Sequence, residues 1–130
     1  MTAASVLDAS ALLCVIFAEL GADRVIDRLD GALIGAVNYS EVVAKIIERQ
    51  ADADRLFAML ADLKMTIVPF DAAQAEAAGR LRLTTRSAGL SLGDRACLAL
   101  AMSVKGCAIT TDRAWDKVAS AVGVEIEFAR

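Results

Sequence analysis

The apolar residues of this chain recur at two spacings, which alternate along the sequence. Short apolar runs, such as residues 5–7 and 65–68, have the length of buried strands. Between such runs, apolar residues three or four positions apart, as at Val42, Val43 and Ile46, indicate one face of a helix. The pattern predicts strands over 5–7, 32–37, 65–68, 107–109 and 124–126, and helices over 9–17, 22–29, 39–50, 54–63, 72–83, 92 to about 103 and 113–121.

Strands that alternate with helices predict an α/β domain in which helices cover both faces of a parallel sheet of four to five strands. Residues 84–90 are predicted to form a loop, Asn38 and Ser91 are predicted helix N-caps, and the chain has one proline, Pro69. No repeat or linker divides the 130 residues, which is close to the most common domain size. We therefore expect a single domain over residues 1–130.

Composition indicates where the protein is located and what role its cysteines have. Hydrophobic residues make up 57% of the chain, but no apolar run approaches the roughly 18 residues that cross a membrane. The N-terminus lacks the positively charged start of a secretory signal, so a cytoplasmic protein with no membrane partner is expected. Cys14, Cys97 and Cys107 are widely spaced among apolar residues, which favours packing over disulfides or zinc binding.

Four acidic residues stand where short apolar or small-residue segments give way to predicted helices: Asp8, Glu41, Asp94 and Asp112. The carboxyl ends of parallel strands lie along one edge of a sheet, so these carboxylates are expected to converge on one crevice. The chain contains no histidine, and carboxylate oxygens are the ligands of hard cations. The pattern predicts a site for Mg²⁺, with Mn²⁺ as a possible substitute.

The same acids also suit a purely structural role, because carboxylates cap the exposed N–H groups of a first helical turn. Ser91-x-x-Asp94 and Asn38-x-x-Glu41 resemble capping boxes, and the other two acids fit simple N-caps. Capping does not predict the additional polar residues around these points, namely Ser10, Asn38, Ser40, Thr110, Thr111 and Asp116. The two roles are compatible, since a helix N-terminus keeps a carboxylate ionised.

Charge is unevenly distributed along the chain. The net charge of -3 argues against a protein that coats nucleic acids, which is usually strongly basic. Residues 79–95 nevertheless contain Arg80, Arg82, Arg86 and Arg95 against Asp94 alone, a local surplus of three positive charges. Arg82, Arg86 and Arg95 are therefore candidate ligands for a phosphodiester backbone beside the acidic crevice.

Four segments resemble, in order, the successive motifs of the PIN-domain ribonucleases, and among these most of all the VapC-type toxins of bacterial toxin–antitoxin pairs. The segments are Leu7-Asp8-Ala9-Ser10-Ala11-Leu12, Asn38-Tyr39-Ser40-Glu41-Val42, Leu92-Gly93-Asp94-Arg95-Ala96-Cys97-Leu98-Ala99-Leu100-Ala101 and Ile109-Thr110-Thr111-Asp112-Arg113-Ala114-Trp115. The resemblance spans essentially the whole chain. It implies a three-layer α/β/α PIN-like domain, a Mg²⁺- or Mn²⁺-dependent endoribonuclease activity, and a VapB-like antitoxin that binds and silences it.

The resemblance also implies roles for the acids. Asp8 and Asp94 are expected to hold the principal metal, while Glu41 and Asp112 complete its shell or act through bound water. Because the chain has no histidine to act as a base, RNA hydrolysis is expected to use metal-activated water. The expected products then end in a 5′-phosphate and a 3′-hydroxyl.

Three further polar residues fit supporting positions. The hydroxyls of Ser10 and Thr110 are expected to orient carboxylates or water. Asp116 lies one helical turn beyond Asp112 and is either a fifth acid or a partner of Arg113 on a solvated face. Trp115 is expected to pack in the core.

Partners follow partly from the family and partly from the residues. Family members cut transfer RNA or ribosomal RNA, so an RNA of one of these classes is the expected substrate, and a homodimer is expected by the same resemblance. The predicted helices 9–17 and 22–29 hold more apolar residues than one sheet face can use. They are predicted to form an antitoxin groove or a dimer surface.

Two other functional classes remain open at this point. A response-regulator-like phosphoacceptor would need paired acids after the first strand and a lysine at the end of the last, whereas Asp8 stands alone and Lys105 precedes a strand. A catalytically silent α/β interaction domain would use the four acids only as caps. The absence of metal binding would favour that second class.

Overall fold

Five parallel strands form one sheet in the computed structural model, which describes residues 3–49 and 52–130. The strands are β1 (Ser5–Leu7), β2 (Leu33–Gly35), β3 (Thr66–Val68), β4 (Cys107–Thr110) and β5 (Glu125–Phe128). Their order is β3-β2-β1-β4-β5, which places β1 at the centre, where Leu7 is in register with Ile34 of β2 and Ile109 of β4. All five carboxyl ends therefore lie along the same edge of the sheet.

Helices cover both faces of this sheet. Within the described ranges they are α1 (Ala9–Ile16), α2 (Ala22–Ile26), α3 (Ala36–Glu48), α4 (Ala53–Asp62), α5 (Ala72–Arg80), α6 (Arg82–Thr85), α7 (Leu92–Val104) and α8 (Ala119–Val122), with 3-10 segments at Arg86–Ala88 and Arg113–Lys117. No helix of this part of the chain has the length and apolar character that crossing a membrane requires.

Two apolar clusters separate the layers. Successive strand residues point to opposite faces, so Val6 belongs to the cluster under α5, α7 and α8, and Leu7 to the cluster under α1 to α4. Trp115 is completely buried in the first cluster, and the three cysteines are free thiols. The predicted α/β/α architecture, the core position of the tryptophan and the unbridged cysteines are confirmed.

The boundary between β2 and α3 differs from the prediction. The expected strand 32–37 ends at Gly35, and α3 begins at Ala36 with Gly35 as its extended N-cap. The predicted N-cap at Asn38 is therefore wrong, because that residue lies inside the first turn of the helix. A short apolar run does not itself distinguish a strand from a buried helix start. The predicted helix 39–50 ends at Glu48, and residue 50 is outside the described residues.

Two predicted helices are each divided in two. The helix expected over 72–83 breaks at Leu81, whose N–H bonds back to Ala78 in a tighter turn, and the expected loop 84–90 includes the end of α6. The buried hydroxyl of Thr85 donates to the Leu81 carbonyl at 2.8 Å and fixes this second turn. The helix expected over 113–121 is a 3-10 segment followed by α8.

Two leucines on helices differ in burial, and their substitutions should differ in their effect on stability. Leu98 is completely buried on α7, whereas Leu83 is 76% exposed on α6. Leu98→Ala should lower the free energy of unfolding by about 2–5 kcal/mol, through lost apolar burial and the cavity that remains. Leu83→Ala should change it by less than about 0.5 kcal/mol. Urea unfolding followed by circular dichroism measures both, and equal losses would contradict the assigned layers.

Candidate functional site

Asp8 is a buried carboxylate at the carboxyl end of the central strand. It is 2% exposed, and its backbone N–H continues the sheet by donating to the Ile109 carbonyl at 3.1 Å. Its Oδ1 accepts from the Ser10 hydroxyl at 2.7 Å and from the Ala11 N–H at 2.8 Å. Its Oδ2 accepts from the Thr110 hydroxyl at 2.5 Å. Asp8 thus caps α1, as the capping interpretation expected, and two hydroxyls also hold it.

The turn after β4 is attached to the same hydroxyls. Thr110 Oγ1 accepts from the Asp112 N–H at 3.0 Å, and Ser10 Oγ accepts from the Thr111 N–H at 3.0 Å. Asp112 is exposed, and its Oδ1 accepts from the Ala114 N–H at 3.0 Å, so it caps the following 3-10 helix. The structure therefore places both hydroxyls predicted as supporting groups between the first and last acids of the quartet.

Asp94 lies in the first turn of α7 within a complete capping box. Its N–H donates to the Ser91 hydroxyl at 3.2 Å, and its Oδ2 accepts from the Ser91 N–H at 2.9 Å. This capping box was predicted from the sequence and is confirmed. The box uses one carboxylate oxygen, and Oδ1 accepts no hydrogen bond within the described residues.

The Glu41 carboxylate is held by Asn38, which the sequence places among the polar residues that capping does not explain, and lies in the space left by Gly93. The Asn38 amide is 1% exposed, and its Nδ2 donates to Glu41 Oε1 and to the Gly93 carbonyl, both at 3.0 Å. A Cβ at position 93 would lie 2.5 Å from Glu41 Oε1, so a side chain there would displace the carboxylate from this position. The predicted Asn38-x-x-Glu41 capping box is therefore wrong, and the amide joins α3 to α7 instead. The available signal was the three-residue spacing, which places both side chains on one helical face.

Burial and a neighbouring charge raise the pKa of Asp8, the acid at the end of the central strand. Burial raises the pKa of Asp8 to about 6, against the opposing effect of hydrogen bonds from Thr110, Ala11 and Ser10, and the charge of Asp94 raises it further. The ionised form is disfavoured because a buried carboxylate loses hydration. Asp8 therefore lacks a compensating positive charge.

Burial and neighbouring acidic charges also raise the pKa values of Glu41 and Cys97. Burial raises the pKa of Glu41, the Asn38 hydrogen bond opposes the rise, and the charge of Asp94 adds to it. The pKa of the buried Cys97 thiol is raised well above its usual value by burial and by the charges of Asp8, Asp94 and Glu41. Three acids of the quartet thus share one electrostatic environment. Within residues 3–49 and 52–130, none of the four forms an ion pair with lysine or arginine.

The donor set suits a hydrated hard cation. In the described part of the chain, no three acidic or cysteine side chains are already arranged to hold a metal ion. Mg²⁺ does not require such a cage, since it usually keeps several waters and binds through one or two carboxylates. Asp8 Oδ2 has one donor and Asp94 Oδ1 has none among the described residues, so both oxygens can accept a cation. Uncompensated negative charge and oxygen-only donors fit Mg²⁺ or Mn²⁺.

The arginines of segment 79–95 have different environments. Arg82 and Arg86 are exposed and form no ion pair in the described structure, and the 3-10 turn of Arg86 contacts the 3-10 helix that follows Asp112. Arg95 is half-buried, and its Nη1 donates to the Ala78 carbonyl at 3.0 Å, which ties α7 to α5. Arg80 pairs with a glutamate on its own helix at 3.1 Å.

Asp116 is exposed and does not pair with Arg113 within the described ranges, so that alternative for Asp116 is not supported. Arg113 Nε instead donates to the Arg130 carbonyl at 2.8 Å, and its guanidinium lies 4.8 Å from the centre of the Phe128 ring.

Arg113 also lines a cleft of about 850 Å³, together with Leu20, Arg24 and Arg130. Sequence patterns did not predict this cleft. The arginines of this cleft donate to main-chain carbonyls, and these bonds join the C-terminal residues to α2, to the last 3-10 segment and to the turn after α1.

Comparisons with known proteins agree on one family. The model of the PIN domain family matches residues 5–121. VapBC-5 of Mycobacterium tuberculosis, described as a member of the VapBC family of toxin-antitoxin systems, is 26% identical with a TM-score of 0.69, over 97% of this chain and 98% of that one. Comparison with curated proteins finds no significant match.

Two more distant structures share the fold. DNA-bound VapBC from Salmonella typhimurium is 17% identical with a TM-score of 0.75, and the similarity covers 100% of both chains. FitAcB from Neisseria gonorrhoeae is 16% identical with a TM-score of 0.73, over 96% of this chain and 97% of that chain.

The pKa of Asp8 predicts how stability depends on pH. Because this pKa is about 6 in the folded protein, against an ordinary value of 3.8, the folded state binds the proton more tightly than the unfolded chain. The resulting stabilisation is complete below about pH 4 and is lost as the pH rises through 6, a total on the order of 3 kcal/mol. Asp8→Asn should remove this dependence, as urea unfolding between pH 4 and 7.5 in EDTA would measure.

The matched control for this prediction is Asp30→Asn, which removes an exposed carboxylate far from the quartet. Its stability should follow the wild-type pH dependence. If Asp8→Asn shows the same dependence as Asp30→Asn, the perturbed proton does not belong to Asp8.

Proposed function

The chain belongs to the PIN domain family, a family of nucleases, and on that premise we propose that it is a metal-dependent endoribonuclease, the toxin of a VapBC-like toxin–antitoxin pair. One observation above all supports this proposal: acids without basic partners in the described structure gather at the carboxyl edge of the sheet. Asp8, Glu41 and Asp94 share one electrostatic environment, and the backbone N–H of Asp112 donates to the same Thr110 hydroxyl that bonds to Asp8.

Asp8 and Asp94 would hold a Mg²⁺ or Mn²⁺ ion, with Glu41 and Asp112 binding directly or through water. When bound, such an ion lowers the pKa of a coordinated water and neutralises charge on the scissile phosphate. Oδ1 of Asp94, which accepts no bond within the described residues, and the orientation of Asp8 by two hydroxyls support this assignment.

Neighbouring side chains orient the two acids that would hold the metal. Ser10 and Thr110 fix the carboxylate of Asp8, while the Ser91 capping box fixes that of Asp94. Since the chain has no histidine, no imidazole takes the proton of the attacking water. We propose that water, rather than the ribose 2′-hydroxyl, forms the new P–O bond while the P–O3′ bond breaks. The leaving 3′-oxygen takes up a proton, so the products end in a 5′-phosphate and a 3′-hydroxyl.

We assign three kinds of partner to the same chain. The substrate would be a transfer RNA or a ribosomal RNA, bound in part by Arg82 and Arg86 beside the acids. The inhibitor would be a VapB-like antitoxin, as the toxin–antitoxin assemblies among the structural neighbours suggest. The 80% exposed Leu20 and the 50% exposed Ile26, in the segment of α1 and α2, are apolar surface for this antitoxin or for a second copy in a homodimer.

The two alternative functions have different support. A phosphoacceptor would need a lysine near Asp8, but Lys105 directly precedes the β4 segment and so lies at the opposite, amino end of the sheet. A catalytically silent interaction domain has more support, because Asp8, Asp94 and Asp112 all accept hydrogen bonds as helix caps. Cleavage and metal binding distinguish it from a nuclease.

The central prediction concerns cleavage of total cellular RNA by the purified protein without a partner. With Mg²⁺ or Mn²⁺ the wild type should produce discrete fragments that end in a 5′-phosphate, and EDTA should abolish them. Asp94→Asn should reduce the rate by more than about 100-fold, since even partners that only orient metal ligands contribute about 10- to 100-fold. Primer extension and end-labelling identify the fragments.

Asp62→Asn is the matched control for this experiment, because it removes an exposed carboxylate at the end of α4. It should cut as the wild type does. A 2′,3′-cyclic phosphate on the products would contradict hydrolysis by water. No fragments and no calorimetric signal with Mn²⁺ would leave the acids as helix caps and favour the silent domain.

A second prediction concerns the exposed arginines. In the Asp94→Asn background, where RNA should remain intact, Arg82→Ala with Arg86→Ala should weaken RNA binding. The slope of log affinity against log salt should fall by about 1.4, because each lost phosphate contact on a single strand contributes about 0.7. Fluorescence anisotropy over a salt series measures both quantities.

Arg80→Ala is the internal control, since Arg80 belongs to the same segment but pairs with Glu76 at 3.1 Å. It should leave affinity and slope unchanged. Arg95 is left out of the double variant, because Arg95→Ala should also lower the stability of the fold through the lost bond to the Ala78 carbonyl. An unchanged slope in the Arg82 and Arg86 double variant would rule out this binding surface.

A further inference from the structure

The buried amide of Asn38 is not explained by its place in the sequence. It lies inside the first turn of α3 rather than at the cap, with 1% exposure. Its Oδ1 is buried without a hydrogen-bond partner, and an unsatisfied buried polar atom costs about 1–3 kcal/mol. An apolar side chain of similar size would avoid this cost. The unpaired oxygen thus opposes stability, and the two hydrogen bonds of Nδ2 are what an amide supplies here and an apolar side chain does not.

The contacts of this amide point to a different role. Its Nδ2 donates to two acceptors on different elements, Glu41 Oε1 on α3 and the Gly93 carbonyl on α7, each at 3.0 Å. Gly93 directly precedes Asp94, so one side chain links the helices that present two acids of the quartet. No other side chain of the described residues bonds to the Glu41 carboxylate.

The absence of a side chain at Gly93 completes this arrangement. A Cβ there would come within 2.5 Å of Glu41 Oε1 and 2.7 Å of its Cδ, so the carboxylate lies directly against the backbone of α7. Glu41 is otherwise exposed, and a free glutamate side chain samples many rotamers. The Asn38 amide and the open space at Gly93 select one of them.

We propose that Asn38 is a positioning residue, which fixes the Glu41 carboxylate against the first turn of α7 so that Glu41 and Asp94 keep their relative place in the reaction. This inference rests on the proposed nuclease function, and it adds a residue that acts only through Glu41. Gly93 serves the same end by leaving room for the carboxylate.

A double-mutant cycle tests the proposal. Asn38→Leu, Glu41→Ala and the double variant are compared with the wild type for kcat and KM on RNA, for Mn²⁺ affinity by calorimetry, and for Tm. Asn38→Leu should lower kcat about 10- to 100-fold with little change in KM, as expected when a partner that orients a ligand is removed. In the Glu41→Ala background it should cause no further loss of kcat. Losses that multiply instead would overturn the proposal, because the amide would then act independently of Glu41.

Gly93→Ala provides a second route, and it keeps the proposal falsifiable if Asn38→Leu fails to fold. The added methyl should displace the same carboxylate and reduce kcat, and again Glu41→Ala should cancel the effect. Val42→Ala, a buried substitution on the same helix, is the control for general destabilisation and should lower Tm without a loss of kcat while folded.

The outcomes separate the two proposals. A wild type that neither cuts RNA nor binds Mn²⁺ would remove the nuclease function, and the role of Asn38 with it. An active wild type in which Asn38→Leu retains full kcat, or shows losses that multiply with Glu41→Ala, would remove only the role of Asn38.

Discussion

The burial of one carboxylate, that of Asp8, is the constraint on which the rest of the site depends. A charge at the end of the central strand is costly unless hydrogen bonds or a cation offset the lost hydration. The Ala11 N–H supplies one bond and thereby starts α1, and the Ser10 and Thr110 hydroxyls supply two more. These hydroxyls also accept the N–H groups of the turn after β4, so the same bonds that satisfy Asp8 shape that turn.

Helix capping and the proposed metal binding are compatible at Asp94, because the cap uses only one of the two carboxylate oxygens. In the capping box of α7, Oδ2 of Asp94 accepts from Ser91, whereas Oδ1 accepts no bond within the described residues. The cap fixes the orientation of the carboxylate, and the second oxygen keeps its capacity for a cation. A rigid first turn favours ligand binding, since side chains that other bonds already hold lose little conformational freedom when a ligand binds.

The parts of the site that the sequence predicted are those controlled by local interactions. The caps at Asp8, Asp94 and Asp112 depend on residues two or three positions away, which a pattern of neighbours can reveal. The Asn38 amide was misassigned because its second acceptor, the Gly93 carbonyl, is 55 residues away. The end of β2 was misplaced for a related reason: Ala36 and Val37 are apolar in either a strand or a helix start, and only the tertiary packing of α3 decides between them.

The carboxylates of Asp8 and Glu41, both proposed to act on one cation, differ in environment. The short side chain of Asp8 is oriented by two hydroxyls, and its burial raises its pKa to about 6 and leaves the folded protein with an unfavourable charge at neutral pH. A bound divalent cation would offset that charge, so binding and stability should be coupled at Asp8. The longer side chain of Glu41 is exposed at the surface, although partial burial and the charge of Asp94 also raise its pKa. Its additional difficulty is conformational freedom. In the proposed role of Asn38, its amide and the space at Gly93 restrict this freedom, which would account for a buried amide with an unsatisfied oxygen beside an exposed acid.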